Sequence, residues 1–297
     1  MTLIGLFRGA FRETAGNVPL VAALYGTNLV FASVVALAFR AFVAGLPGAG
    51  SLEPLLKDFD MTLFFDFLRT RGYAIGALWQ VVLFMTLLSV AVNAAGSGGI
   101  LVSLGSGASF SLREFLLGCG TYAFRFLRLL VLTGVMTALA GFALIAIAGL
   151  LLEALSRNGT SEIPVIEGLA AAAVVSGAVL MLVVMASDYA RVLTVSTGSR
   201  SMLRTLGRSI AFLARNAWGA IALQVVMASL TLCLFALFLL LAEVLEMNSS
   251  MRVILVFIVQ QAFIWCRSFL RVMMFSCELA FTRSRLPSAG HAEIGVA

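Results

Sequence analysis

Apolar residues gather along this chain into six long, nearly uninterrupted blocks, at about 18–43, 74–95, 127–152, 166–189, 217–242 and 253–280, separated by shorter polar stretches. An α-helix needs about 20 residues to cross the roughly 30 Å hydrocarbon layer of a bilayer, and each block reaches that length. Hydrocarbon offers backbone amides no water, so each block is expected to be helical. The short alternating segments of a membrane β-barrel are not the pattern. The expected fold is an all-α integral membrane protein, a bundle of six transmembrane helices forming one domain over 1–285, with a polar tail at 286–297. The first block is too long for the apolar core of a cleavable signal and is expected to stay as an anchor.

Three stretches outside the blocks carry periodicity of their own. Thr2 to Thr14 sets Leu3, Leu6, Phe7, Ala10 and Phe11 at helical spacing, with Arg8 and Arg12 one turn apart. That predicts an N-terminal helix lying in the membrane interface. In the first outer loop, Ser51 to Arg71 mixes Leu55, Leu56, Phe59, Leu63, Phe64, Phe67 and Leu68 with Asp58, Asp60 and Asp66, a second amphipathic helix that would cap the bundle. Between spans two and three, Gly96-Ser97-Gly98-Gly99 and Gly105-Ser106-Gly107 lead to Phe110-Ser111-Leu112-Arg113-Glu114-Phe115. Ser109 or Ser111 is placed to cap a short amphipathic helix there. With no strand before these glycines and no Gly-Lys-Ser/Thr after them, neither a dinucleotide fingerprint nor a phosphate loop is supported. A flexible turn and close helix packing account for them. Small residues also stripe the interior: Gly134, Ala138, Gly141 and Ala148 in span three, and Gly168, Ala172 and Ser176 in span four, a pattern read as intramolecular helix packing.

Composition agrees with the pattern: of 297 residues, 61% are hydrophobic and 11% charged, far from the roughly one quarter charged of soluble domains. The formal charge of +6 comes from basic residues dispersed among membrane segments, so nucleic-acid binding is not the meaning of the basicity. Their placement sets an orientation. Fourteen of the 20 basic residues are counted to the side shared by both termini: Arg8, Arg12, Arg113, Arg125, Arg128, Arg191, Arg200, Arg204, Arg208, Arg215, Arg267, Arg271, Arg283 and Arg285; Arg267 and Arg271 lie within span six, and without them 12 remain against 6. Arg40, Lys57, Arg69, Arg71, Arg157 and Arg252 fall on the other. The positive-inside rule then puts both termini in the cytoplasm. Arg200, Arg204, Arg208 and Arg215 lie in one acid-free loop, suited to anionic lipid or a partner protein.

Candidate chemistry is sparse. The single histidine, His291, lies in the polar tail, so His-activated nucleophiles and multi-histidine metal sites lack their parts. Cys119, Cys233, Cys266 and Cys277 form no C-x-x-C pair and read as single buried thiols. No catalytic residue, metal ligand or cofactor is expected. The best lead is polar: Gln260, Arg267, Arg271 and Glu278 recur at intervals of 7, 4 and 7 on one face of span six. An arginine within hydrocarbon needs a partner, and Asp188, near the end of span four beside Arg191, is the nearest acid by depth. We therefore expect a network of Asp188, Arg191, Gln260, Arg267, Arg271 and Glu278, with Arg267 facing the interior or a wet cavity. Arg191 could pair with Asp188 locally, Arg267 or Arg271 could reach it from span six, and Glu278 could take Arg271 or the pair Arg125 and Arg128. Gln80, Asn93 and Gln224 add uncharged polar groups in other spans.

The N-terminal amphipathic helix, the six spans, Asp188-Tyr189-Ala190-Arg191 closing span four, and Gln260-Gln261 followed by Arg267 and Arg271 resemble uncharacterised six-span bacterial inner-membrane proteins. The pattern is also similar to the membrane domain attached to some glycerophosphodiester phosphodiesterases. That resemblance implies an inner-membrane location. It carries over no activity, because the catalytic domain of that class is not in this chain. The expected role is non-catalytic: a scaffold, assembly component or accessory subunit, with lipid and a membrane protein or an ATPase as candidate partners. The alternative is a permease subunit similar to those of ABC-2 exporters, moving a lipid-like or amphipathic substrate. In that reading Arg113, Glu114 and Phe115 would open a coupling helix that contacts an ATPase. Such likeness of architecture is weak evidence for function.

Overall fold

Each apolar block becomes one helix, and most of these helices run well past the block that predicted them. The structure, a computed structural model, describes residues 3–44, 61–107, 110–158, 163–245 and 250–285. Eight helices and no strand occur among them: α1 (Leu3–Gly16), α2 (Val18–Ala44), α3 (Met61–Ser106), α4 (Leu112–Asn158), α5 (Ile163–Thr197), α6 (Met202–Arg215), α7 (Ala217–Val244) and α8 (Ser250–Arg285). Six of them, α2, α3, α4, α5, α7 and α8, are long and apolar enough to cross a membrane. Pro19 and Pro164 sit in the first turns of α2 and α5, where a missing N–H is harmless. Gly107 and Gly198 follow α3 and α5 with φ of 63° and 62°, the left-handed stop that glycine adopts without strain.

The segment between spans two and three differs from expectation. It is not a flexible turn, because α3 continues through Gly96-Ser97-Gly98-Gly99 to Ser106, and the amphipathic stretch from Leu112 is the opening of the 47-residue α4 and not a separate short helix. Close packing explains two of the glycines: a Cβ on Gly99 would stand 2.6 Å from both Cys119 Sγ and the Phe115 carbonyl, and one on Gly98 would stand 2.9 Å from Tyr122 Cβ, whereas one on Gly96 would meet nothing within 4 Å. The outer-loop amphipathic segment is helical from Met61 onward as the start of α3. Its first half, Ser109 as a cap, His291 and the tail at 286–297 lie outside the described residues.

The chain divides into two compact units, Met1–Val21 with Ala94–Ala297, and Ala22–Asn93. In the smaller unit Asn93 Nδ2 donates to Asn28 Oδ1 at 3.1 Å, joining α3 to α2. In the larger unit, burial is confined to one end of the helices. Counting from Leu150, Ile166, Val244 and Met251, burial in α4, α5, α7 and α8 begins at Thr133, Met185, Met227 and Ser268. These are 17 to 19 residues along, about 26–28 Å. Before that depth the helices expose Phe142, Ile145, Val174 and Leu232, and in the remaining length lies the core. The exposed length is close to one hydrocarbon thickness.

That core draws on six of the unit's helices. Leu6 and Ala10 of α1 pack with Met185 and Tyr189 of α5, Ala220, Leu223 and Met227 of α7, and Met273, Met274, Cys277 and Phe281 of α8. A second cluster joins Leu129 of α4 to Ala186 and Ala190 of α5 and Met202 and Leu206 of α6. The N-terminal helix is therefore docked: Leu6 and Ala10 are buried, Phe11 meets Phe269 edge-on at 5.5 Å, and Ser276 donates to a Glu13 carboxylate oxygen. In α5 the expected stripe Gly168, Ala172 and Ser176 is half-buried. In α4 only Gly141 and Ala148 of the expected stripe are half-buried; Gly134 and Ala138 are exposed, the shielded face there running through Leu132, Met136, Ala140 and Leu144. The glycines at 134 and 141 meet no neighbouring helix within 4 Å of an added Cβ, so tight approach is not what they provide.

Candidate functional site

Asp188 stands where α5 enters the packed end, and its carboxylate, 3% exposed, is the centre of a three-residue lock. Arg271 of α8 grips it with both terminal nitrogens, Nη1 to Oδ2 and Nη2 to Oδ1, each at 2.9 Å. Arg191, one turn along α5, donates from Nη1 to Oδ1 at 3.0 Å. The forked geometry of a guanidinium suits a carboxylate, and three charge-assisted bonds offset much of the penalty of removing Asp188 from water. Arg271 also lies over the Phe275 ring at 4.4 Å from its centroid. Glu278, two turns on from Arg271, is wholly buried and interacts electrostatically with Asp188, Arg271 and Arg191. Both its oxygens lack hydrogen-bond partners, as does the Tyr189 hydroxyl. Two acids and two arginines form a group that is neutral when all are ionised.

The supporting contacts fix the lock in place. Ser209 of α6 donates its hydroxyl to the Ala186 carbonyl at 2.6 Å, and Tyr189 packs against Phe212 at a tilt and Phe281 edge-on. Arginines close two neighbouring helix ends: Arg283 Nη2 donates to the Gly105 carbonyl at 2.8 Å, and Arg125 Nη1 to the Gly198 carbonyl at 3.4 Å. Cations are favoured at such C-terminal carbonyls.

Of the six residues expected to form one network, four gather here and two do not. Arg267 is exposed, and no ion pair joins it to any acid among the described residues; Gln260 is exposed as well. The reason is depth. Both lie nearer the far end of α8 than Ser268, where burial begins and the neighbouring helices close around it. Glu278 makes no direct bond to Arg271, because Asp188 already occupies both its terminal nitrogens, and Arg125 and Arg128 are engaged elsewhere or exposed. Gln80 is exposed, and Gln224 Oε1 is buried without a partner.

The acid-free loop is largely α6. Met202, Thr205, Leu206 and Ser209, at i, i+3, i+4 and i+7, are its buried face, while Arg200, Arg204, Arg208 and Arg215 are exposed. Exposed Leu203 and Ile210 run beside that basic ridge. Ser209 was missed in the sequence, where only this spacing could have pointed to it; the Glu13–Ser276 bond, 263 residues apart, had no sequence signal. Arg113 is exposed, with Glu114 and Phe115 half-buried at the start of α4. All four cysteines are free, but only Cys277 is buried; Cys119 is half-buried, and Cys233 and Cys266 are exposed on apolar lengths of α7 and α8, so single buried thiols is the wrong description of those three. No group of three or more His, Cys, Asp or Glu that could hold a metal occurs among the described residues. The lock can hold α5 to α8.

Comparison with family models, with curated proteins and with solved structures finds no match.

Proposed function

We propose that this is a non-catalytic, multi-pass protein of the bacterial inner membrane, with both termini in the cytoplasm, serving as a scaffold, assembly component or accessory subunit. The observation that carries this reading is the closed pairing of Asp188 with Arg191 and Arg271, which ties α5 to α8 while Gln260 and Arg267 face outward. A transport route would need those polar groups turned together toward a shared wet interior. The exposed apolar lengths of α4, α5, α7 and α8 supply surface for lipid and for other membrane helices. The permease alternative has less support, since Arg113, Glu114 and Phe115 belong to one continuous helix and not to a separate coupling element.

Two amphipathic helices favour a cytoplasmic face resting on anionic lipid. In α1, exposed Ile4 and Phe11 run beside exposed Arg8 and Arg12; in α6, Leu203 and Ile210 run beside Arg204 and Arg208. An apolar edge next to a basic ridge is the pattern of an interfacial helix, and each arginine near an anionic surface adds about 1 kcal/mol.

Affinity purification from native membranes in mild detergent tests the role. Stoichiometric recovery of another integral membrane protein is the expected result. A co-purifying ATPase would favour the permease, and recovery of the chain alone after crosslinking in the membrane would overturn the accessory role.

A further inference from the structure

We propose that the exposed face of α8 at Arg267 and Arg271 is a binding site for the phosphate of an anionic phospholipid. The inference stands independently of the scaffold reading. It starts from Arg267, which is exposed yet paired with no acid among the described residues. Arg267 lies 16 residues from Met251, about 24 Å along an apolar helix, just short of the depth at which burial begins. A guanidinium at the edge of hydrocarbon, with no protein partner, is stabilised by reaching a headgroup phosphate at the interface.

One turn further, Arg271 stands on the same face. Its terminal nitrogens are held by Asp188, its side chain remains 38% exposed, and its Nε makes no hydrogen bond among the described residues. A phosphate at this level can therefore take the Arg267 fork and the free N–H of an arginine already fixed in place. Charge decides what kind of phosphate. Arg267 has no acid beside it among the described residues, so it presents an uncompensated positive charge, which a monoanionic phosphodiester neutralises. The surroundings decide its source: Val253 and Phe257, exposed on the side of α8 that leads to Arg267, form a surface for acyl chains and not for a hydrated free anion.

The test uses the full chain in mild detergent, with thermal unfolding and native mass spectrometry read against added phosphatidylglycerol, phosphatidylcholine or inorganic phosphate. Phosphatidylglycerol is expected to stabilise the protein and to be retained in the gas phase, with phosphatidylcholine and inorganic phosphate having little effect. Arg267→Gln is expected to weaken phosphatidylglycerol retention about tenfold, the scale of one lost charge-assisted contact; Arg267→Lys should keep most of it, and Arg113→Gln all of it. Arg267 is exposed, so these variants fold, and circular dichroism checks that they do. Equal stabilisation by phosphatidylcholine, equal protection by inorganic phosphate, or unchanged retention in Arg267→Gln would each overturn the proposal.

Discussion

At the scale of residues, the lock distributes its bonds unequally, and stability should follow that inequality. Asp188 receives two bonds from Arg271 and one from Arg191. Breaking a buried ion pair from one side typically costs roughly 3–5 kcal/mol. Arg271→Gln should destabilise by less, about 2 kcal/mol, because Arg191 still pairs the carboxylate and the Arg271 side chain is partly solvated. Arg191→Gln, which removes one bond within a single helix, should cost about 1 kcal/mol. Asp188→Asn leaves both arginines without their anion and should exceed either. Thermal unfolding in detergent gives this order, and equal losses for Arg271→Gln and Arg191→Gln would contradict it. Glu278 provides the contrast. Its carboxylate is fully buried with no hydrogen-bond partner, so Glu278→Gln removes a desolvated acid without breaking a bond. Its stability should stay within about 1 kcal/mol of the parent, well above that of Asp188→Asn.

At the scale of elements, the crossing of α3 and α4 is set by glycine at two adjacent positions, and one helix supplies its own control. A Cβ at Gly99 would press on Cys119 and the Phe115 carbonyl at 2.6 Å, while a Cβ at Gly96, nearly one turn earlier, meets nothing within 4 Å. Gly99→Ala should force the helices apart at about 1–3 kcal/mol. Gly96→Ala should be neutral or stabilising by up to about 1 kcal/mol, because alanine is the better helix former. Matching effects of the two substitutions on unfolding would show that the crossing is not close. The α6 helix argues the same way from polarity. Its Ser209 hydroxyl is fully buried and donates to the Ala186 carbonyl, so Ser209→Ala should loosen α6 by about 1 kcal/mol, visible as faster hydrogen exchange between Met202 and Arg215.

At the scale of the whole molecule, the larger unit combines exposed apolar helix lengths of about 26–28 Å with a core confined to the opposite end. If that end faces the cytoplasm, a fluorescent protein fused after Arg285 should fluoresce, and alkaline phosphatase at the same point should be inactive. The reverse pattern would invert the topology argued from the arginines. The exposed lengths also predict that a lipid-soluble photoactivated carbene labels α7 and α8 around Cys233 and Cys266 and not around Cys277, since Cys277 is buried with the packed end. Labelling around all three alike in the folded protein would count against a core restricted to that end.

Six spans, their helical character and the amphipathic N-terminal stretch were legible in the chain, because lipid enforces helix on any long apolar run and periodicity marks a two-sided surface; Met202–Arg215, expected as a basic loop, is a helix. The sequence also limited Asp188 to a few arginine partners, since depth in the membrane follows from counting residues along each span. It could not choose among them. Arg267 and Arg271 share a face and a chemistry, four residues apart, and only the way α5 closes on α8 beyond Ser268 turns one into the partner of Asp188 and leaves the other exposed. The same holds for Gly99 against Gly96, and for Glu13 meeting Ser276. Where hydrocarbon sets the rule, one residue's identity is enough; where helices meet, position relative to a neighbour decides, and that belongs to the tertiary structure.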